Sequence, residues 1–231
     1  MPVSEDQERN LRYERKFLVS SHSYKDLEHL LKFHPACFSP VYHERRVNNI
    51  YFDSPGFTNY YDNIDGEKDR LKIRIRWYGD TFGTVASPVM EMKIKKGLLG
   101  NKRSYSLNPF IINNDFDRND LEEILSTGQI PDHTVKHVLS LFPVLLNTYV
   151  RRYFISADKN FRITIDRDMN FYAMHYGYNT FLNHFMDARS TVLELKYNNE
   201  FEDLAKELAS ALPFPLTKSS KYVSGLEHTL K

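Results

Sequence analysis

The sequence predicts an α+β fold in which about eight antiparallel strands close into a β-barrel, with helices packed outside it. Three observations carry this. Apolar and polar residues alternate with period two in eight segments, turn-forming residues separate neighbouring segments, and the polar strand faces are charged.

The alternation covers Leu11 to Val19, Asn48 to Asp53, Arg70 to Trp77, Val89 to Lys95, Lys102 to Leu107, Asn147 to Ile155, Phe161 to Asp168 and Val192 to Tyr197. Gly97 and Gly100 stand between the fourth and fifth segments and Lys159-Asn160 between the sixth and seventh. These are hairpin signals and favour antiparallel pairing. Helical patterns interrupt the series at Tyr24 to Phe33, Phe57 to Asn63, Asp117 to Thr127, His133 to Leu141, Phe201 to Leu212 and Ser219 to His228. Asp115 or Asp117 is placed to cap the third of these. Asp80 to Pro88, polar with two glycines, reads as a connecting loop. No repeat, low-complexity tract or linker divides the chain, so residues 1–231 are expected to form a single domain.

Composition narrows the function. The 31 Lys and Arg balance 30 Asp and Glu, which excludes a basic coat for nucleic acid or a membrane surface and leaves local clustering as the source of any charge-based function. One cysteine, Cys37, rules out an internal disulfide and fits a reducing compartment. The first ten residues are acidic and polar, unlike a signal peptide, and the longest apolar stretch, Val138 to Leu146, is broken by Ser140 and Pro143. A soluble, cytoplasmic protein with no membrane insertion is expected.

The segment Arg70 to Trp77 is the most informative. Arg70, Lys72, Arg74 and Arg76 share one face, and Leu71, Ile73, Ile75 and Trp77 share the other. Same-face neighbours on a strand lie ~7 Å apart, so each adjacent pair repels by roughly 2 kcal/mol at an effective dielectric near 20. Water or a bound anion must offset that repulsion. The arrangement recurs with Arg12, Glu14 and Lys16, with Glu91, Lys93 and Lys95, with Arg162, Thr164 and Asp166, and with Glu194 and Lys196. A single such strand is what any sheet with one wet face produces. Five of them, rich in Arg, suit bidentate recognition of phosphate, with the charged faces turned into the barrel.

These strands resemble the triphosphate tunnel metalloenzymes of the CYTH-like superfamily, and among them the polyphosphate polymerase domain of the vacuolar transporter chaperone (VTC) proteins. The matching pieces run in order along nearly the whole chain: Tyr13-Glu-Arg-Lys-Phe17, Ile50-Tyr-Phe-Asp-Ser54, Ile73-Arg-Ile-Arg-Trp-Tyr-Gly79, Glu91-Met-Lys93, Tyr149-Val-Arg151, Arg162-Ile-Thr-Ile-Asp166, Leu193-Glu-Leu-Lys196 and Lys218-Ser-Ser-Lys-Tyr222. The resemblance implies that Lys16, Arg74, Arg76, Lys93, Arg151, Arg162, Lys196, Lys218 and Lys221 contact phosphates. It implies that Glu194, with Glu14 and Glu91 as further carboxylates, serves a divalent metal, Mn²⁺ or Mg²⁺. A carboxylate among many cations suits such a hard ion bound together with phosphate oxygens. Lys218 and Lys221, three apart at a helix start, are expected to face one side.

One departure is instructive. Many hydrolytic tunnel enzymes carry Glu-x-Glu-x-Lys on the first strand, whereas this chain reads Arg12-x-Glu14-x-Lys16. The missing carboxylate favours transfer over hydrolysis. The resemblance therefore implies a metal-dependent phosphotransferase that moves the γ-phosphoryl group of ATP onto a growing inorganic polyphosphate chain. A triphosphatase and a non-catalytic polyphosphate-binding module are the alternatives. The expected partners are nucleoside triphosphate and polyphosphate, not nucleic acid. The sensor domain and membrane helices that accompany the fungal polymerases have no room in this chain and are not carried over.

Other motifs carry less. His133 and His137 have zinc-like spacing, but Thr134 stands where a metalloprotease has Glu. No P-loop occurs, and nothing pairs a Ser or Cys nucleophile with a His.

Overall fold

The computed structural model describes residues 12–20, 24–96, 99–175, 177 and 179–230. The expected strand start at Leu11, the acidic N-terminal segment and the turn at Gly97 lie outside them. The strands are β1 (Arg12–Val19), β2 (Ser39–Asp53), β3 (Arg70–Tyr78), β4 (Gly83–Val85), β5 (Val89–Lys96), β6 (Leu99–Ser106), β7 (Phe110–Ile112), β8 (Phe142–Ile155), β9 (Arg162–Ala173), β10 (His184–Asp187) and β11 (Thr191–Asn198). The helices are α1 (Tyr24–Phe33), α2 (Thr58–Asp65), α3 (Arg118–Ser126), α4 (Asp132–Leu139), α5 (Glu202–Ser210) and α6 (Lys221–Thr229).

The α+β class and the antiparallel pairing are as expected. The main sheet has the order β1-β11-β9-β8-β2-β3-β5-β6, with β10 on β9. Its end strands β1 and β6 do not pair with each other among the described residues, so the hydrogen-bonded ladder does not close as the expected barrel would. The expected loop Asp80 to Pro88 contains β4, which pairs with β7 in a separate two-stranded ribbon.

Two compact units are distinguished. One comprises the residues up to Arg45, Val150–Asp168 and Asp187–Ser219; the other comprises Arg46–Tyr149, Met169–Met186 and Ser220–Lys231. In the first, Phe17 and Val19 of β1, Ile163 and Ile165 of β9 and Leu193 and Leu195 of β11 pack with Leu27 and Leu31 of α1 and Ala205 and Leu208 of α5. In the second, Ile50, Ile73, Ile75, Trp77 and Met90 pack with Leu121, Ile124 and Leu125 of α3 and Val138 of α4. Each such buried aliphatic or aromatic side chain contributes about 1.5–3 kcal/mol, and the helices take up the apolar strand faces. The charged faces are thereby left on the other side.

Asp117 caps α3 in a capping box, its carboxylate accepting the Asn119 and Asp120 amides while Asp120 accepts the Asp117 amide. On α6, Gly225 lets the helix lie against β8 and β9. A Cβ there would stand 2.5 Å from Leu145 Cδ2 and 2.6 Å from Phe171 Cδ1, both side chains buried. We expect Gly225→Ala to destabilise the protein by about 1–3 kcal/mol in urea unfolding, because both buried neighbours would have to shift. An unchanged midpoint would refute this close packing.

Candidate phosphate-binding site

In the first unit, β1, β11 and β9 align in register, which sets Lys16 beside Glu194 and Glu194 beside Thr164, with Glu14 beside Lys196 and Lys196 beside Arg162. Glu194 is buried and faces three cations. Lys196 Nζ lies 2.9 Å from its Oε2, Arg151 Nη2 3.4 Å from the same oxygen, and Lys16 Nζ 3.7 Å from Oε1. Lys16 Nζ also approaches Glu14 at 3.3 Å and donates to the Ser219 carbonyl. Arg151 is clamped by Asp166, donating from Nε at 2.5 Å and from Nη2 at 2.6 Å. Asp166 is fully buried, so this bidentate pair fixes the guanidinium plane. Burial lowers the Lys196 pKa, by more than the attraction of Glu194 raises it.

In the second unit, Asn49 and Tyr51 of β2 share the face of Arg74 and Arg76 of β3, because they alternate with Ile50 and Phe52. Arg74 donates from Nε to Glu91 Oε2 at 2.7 Å, and its Nη2 lies 2.5 Å from the same oxygen. Lys102 reaches Glu91 Oε1 at 2.5 Å and Arg76 Nη1 stands 3.8 Å from Oε2. Arg76 also donates to Asn49 Oδ1 at 2.8 Å and to the Tyr149 hydroxyl at 3.3 Å. Burial alone would raise the Glu91 pKa, but Arg74, Arg76 and Lys102 more than cancel that and hold it at about 2. Lys72, Lys93 and Lys102 stand directly across from one another on β3, β5 and β6, a row of lysines running across the strands. Lys221 Nζ lies 4.9 Å from the Tyr149 ring centroid, a cation–π contact.

The anticipated residues thus fall into two clusters. Lys16, Arg151, Lys196, Glu194 and Glu14 gather in the first unit, and Arg74, Arg76 and Glu91 in the second. Arg162, Lys93 and Lys218 are exposed. Lys218 does not start a helix, since α6 begins at Lys221 after Ser220. Residues given no site role from the sequence complete the clusters: Asp166 behind Arg151, and Asn49, Tyr51, Tyr149 and Lys102 around Arg74 and Arg76. His133 and His137 are both exposed on α4.

Glu91 generates a test with a definite sign. Its pKa is depressed in the fold, so the stability it contributes is present above the ordinary value near 4.5 and is lost as pH falls towards about 2. Glu91→Gln should therefore be less stable than the wild type by roughly 3 kcal/mol at neutral pH. The two denaturation curves should converge in acid; a gap independent of pH would refute the ion-pair role.

A search of curated proteins returns no match. Among solved structures, the PH1819 protein from Pyrococcus horikoshii OT3 is similar at 15% identity and a TM-score of 0.48, over 95% of this chain and 99% of that one. HpAC1 from Hippeastrum, described as having a dominant triphosphatase activity, is similar at 14% identity and a TM-score of 0.45, over 93% of this chain and 96% of that one. No helix among the described residues is long and apolar enough to cross a membrane. The family model of the VTC domain matches residues 11–230, and the chain belongs to the VTC domain family.

Proposed function

We propose that this VTC domain is a polyphosphate polymerase. It transfers the γ-phosphoryl group of ATP to the end of an inorganic polyphosphate chain and releases the diphosphate. A terminal oxygen of the acceptor attacks the γ-phosphorus, and the bond from that phosphorus to the β–γ bridging oxygen breaks. The observation that supports this reading best is the convergence of three cations on a single buried carboxylate in each cluster: Lys16, Arg151 and Lys196 on Glu194, and Arg74, Arg76 and Lys102 on Glu91.

Phosphoryl transfer needs little covalent help from a protein, so positioning and charge neutralisation supply most of the rate. Arg74 and Arg76, preset by Glu91 and Asn49, would meet the equatorial oxygens with little reorganisation. Arg151, fixed by Asp166, and Lys196, whose proton is loosened by burial, would do the same in their own cluster. Lys16, Arg162, Lys218, Lys221 and Lys93 would add further phosphate contacts.

The superfamily implies a divalent metal. Among the described residues no three His, Cys, Asp or Glu side chains gather to hold one unaided. Glu194 and Glu14, both beside Lys16 Nζ, are hard oxygen donors on adjacent strands. That donor set fits Mg²⁺ or Mn²⁺ delivered with phosphates, which such ions bind through one or two carboxylates. Bound there, the ion would neutralise charge on phosphate oxygens. Glu91, already held by Arg74 and Lys102, would act by positioning those cations.

Protein incubated with ATP and Mn²⁺ should yield a polyphosphate ladder on a gel; free phosphate alone would mean hydrolysis, and neither product would mean a binding module. Arg74→Ala should weaken tripolyphosphate binding and lower turnover by about a hundredfold or more. His133→Ala, on exposed α4, should do neither. Equal activity of wild type and Arg74→Ala would overturn the site assignment.

A further inference from the structure

Tyr51 stands at the centre of the second cluster. It is 2% exposed, its register partner on β3 is Arg74, and the Arg74 side chain is within hydrogen-bonding reach of its hydroxyl. Lys72 Nζ lies 4.8 Å from its ring centroid. Lys72, Arg74 and Arg76 of β3 act on it directly, and Tyr222 of α6 lies beside it. Arg74 and Arg76 in turn meet Glu91 of β5, which Lys102 of β6 also holds, and Arg76 meets Tyr149 of β8, over whose ring Lys221 of α6 lies. Three of these cations share the one carboxylate of Glu91.

The neighbouring ring, Tyr222, has the opposite surroundings. The Tyr222 ring lies 5.3 Å away, but its hydroxyl donates to buried Asp53, which also accepts the adjacent Ser54 amide and the Asn59 and Tyr60 amides at the start of α2. Burial and the bond to Asp53 raise the Tyr222 pKa and keep its proton on. Two adjoining phenols are thus driven apart, a pattern that marks groups with different proton roles.

We propose that Tyr51 is a proton-linked substrate contact: as phenolate it is the resident counter-anion of Lys72, Arg74 and Arg76, and on arrival of a phosphate chain it takes up a proton and donates a hydrogen bond to a phosphate oxygen. The chemical logic is competition between anions. An incoming tri- or polyphosphate engages the same ammonium and guanidinium groups and repels a phenolate, so the proton supplied by solvent restores a neutral phenol with an O–H to offer. Burial would by itself raise the Tyr51 pKa, but Lys72, Arg74 and Arg76 outweigh burial and bring it to about 7 in the free protein, so the exchange falls near neutrality. The proposal rests on the phosphate-binding reading of this cluster and adds to it a role that no arginine or lysine can fill.

Tyrosinate absorbs in the ultraviolet where tyrosine does not, and a free tyrosine ionises only near pH ~10, which makes one site titrating near neutrality visible among 15 tyrosines. Wild-type protein should develop about one tyrosinate per chain with a midpoint near pH 7. Tyr51→Phe should develop none below about pH 9. Saturating tripolyphosphate should abolish the wild-type signal at about pH 8, with binding followed by calorimetry in the same sample. Above pH 7 the wild-type affinity should fall by up to about tenfold per pH unit relative to Tyr51→Phe, since a proton must be bound with each ligand. No tyrosinate in the free wild type, or a tyrosinate that persists with tripolyphosphate bound, would overturn the proposal. Failure of tripolyphosphate to bind would instead count against the phosphate-binding reading, while the titration of the free protein still decides whether Tyr51 is the counter-anion.

Discussion

Everything in this protein answers to one electrostatic demand: cations gathered on a sheet face must be held together without a bound ligand. The solution is the same in both units, a buried carboxylate with three cations around it, Glu194 in one and Glu91 in the other. Each carboxylate lowers the cost of assembling its cluster; Glu14 and Asp166 bring the charges around Glu194 level, whereas Arg74, Arg76 and Lys102 leave an excess of positive charge around Glu91. That excess is what a polyanion would recognise, and the carboxylate keeps the donors aimed while none is present.

The same demand dictates the packing. If one face of each strand is charged, all its apolar residues go to the other, and helices must cover them. Leu27 and Leu31 of α1, and Leu121, Ile124 and Leu125 of α3, are the residues that do so. Further polar and acidic groups then refine the aim. Asp166 orients Arg151, Asn49 orients Arg76, and Asp53 binds both the start of α2 and Tyr222, which lies one residue after Lys221.

How much of this was legible in the sequence depended on local pattern. Strand β3 was plain, because Arg70 to Trp77 alternates without a break. Strand β2 was read as Asn48 to Asp53 but begins at Ser39, since its first eight residues are all exposed and show no alternation. Strand β8 was read from Asn147 but begins at Phe142, where consecutive buried residues hide the period. Strand β9 continues past Asp168, whose left-handed backbone (φ 51°) interrupts the pattern. Among site residues, the repeated Arg and Lys announced themselves, and the family resemblance gathered them. Asn49 and Tyr51 were readable in principle from their alternation with Ile50 and Phe52. The pairing of Arg151 with Asp166, and of Asp53 with Tyr222, depends on contacts between distant segments that no local spacing encodes.

Strands β2, β8 and β9 each contribute to both compact units, and each unit is assembled from three separate stretches of chain. No single cut therefore releases either unit as a continuous peptide. Expression of one half alone, or its exchange with a homologue's by a single genetic crossover, is ruled out by chain path, so the two cation clusters are inherited as one piece.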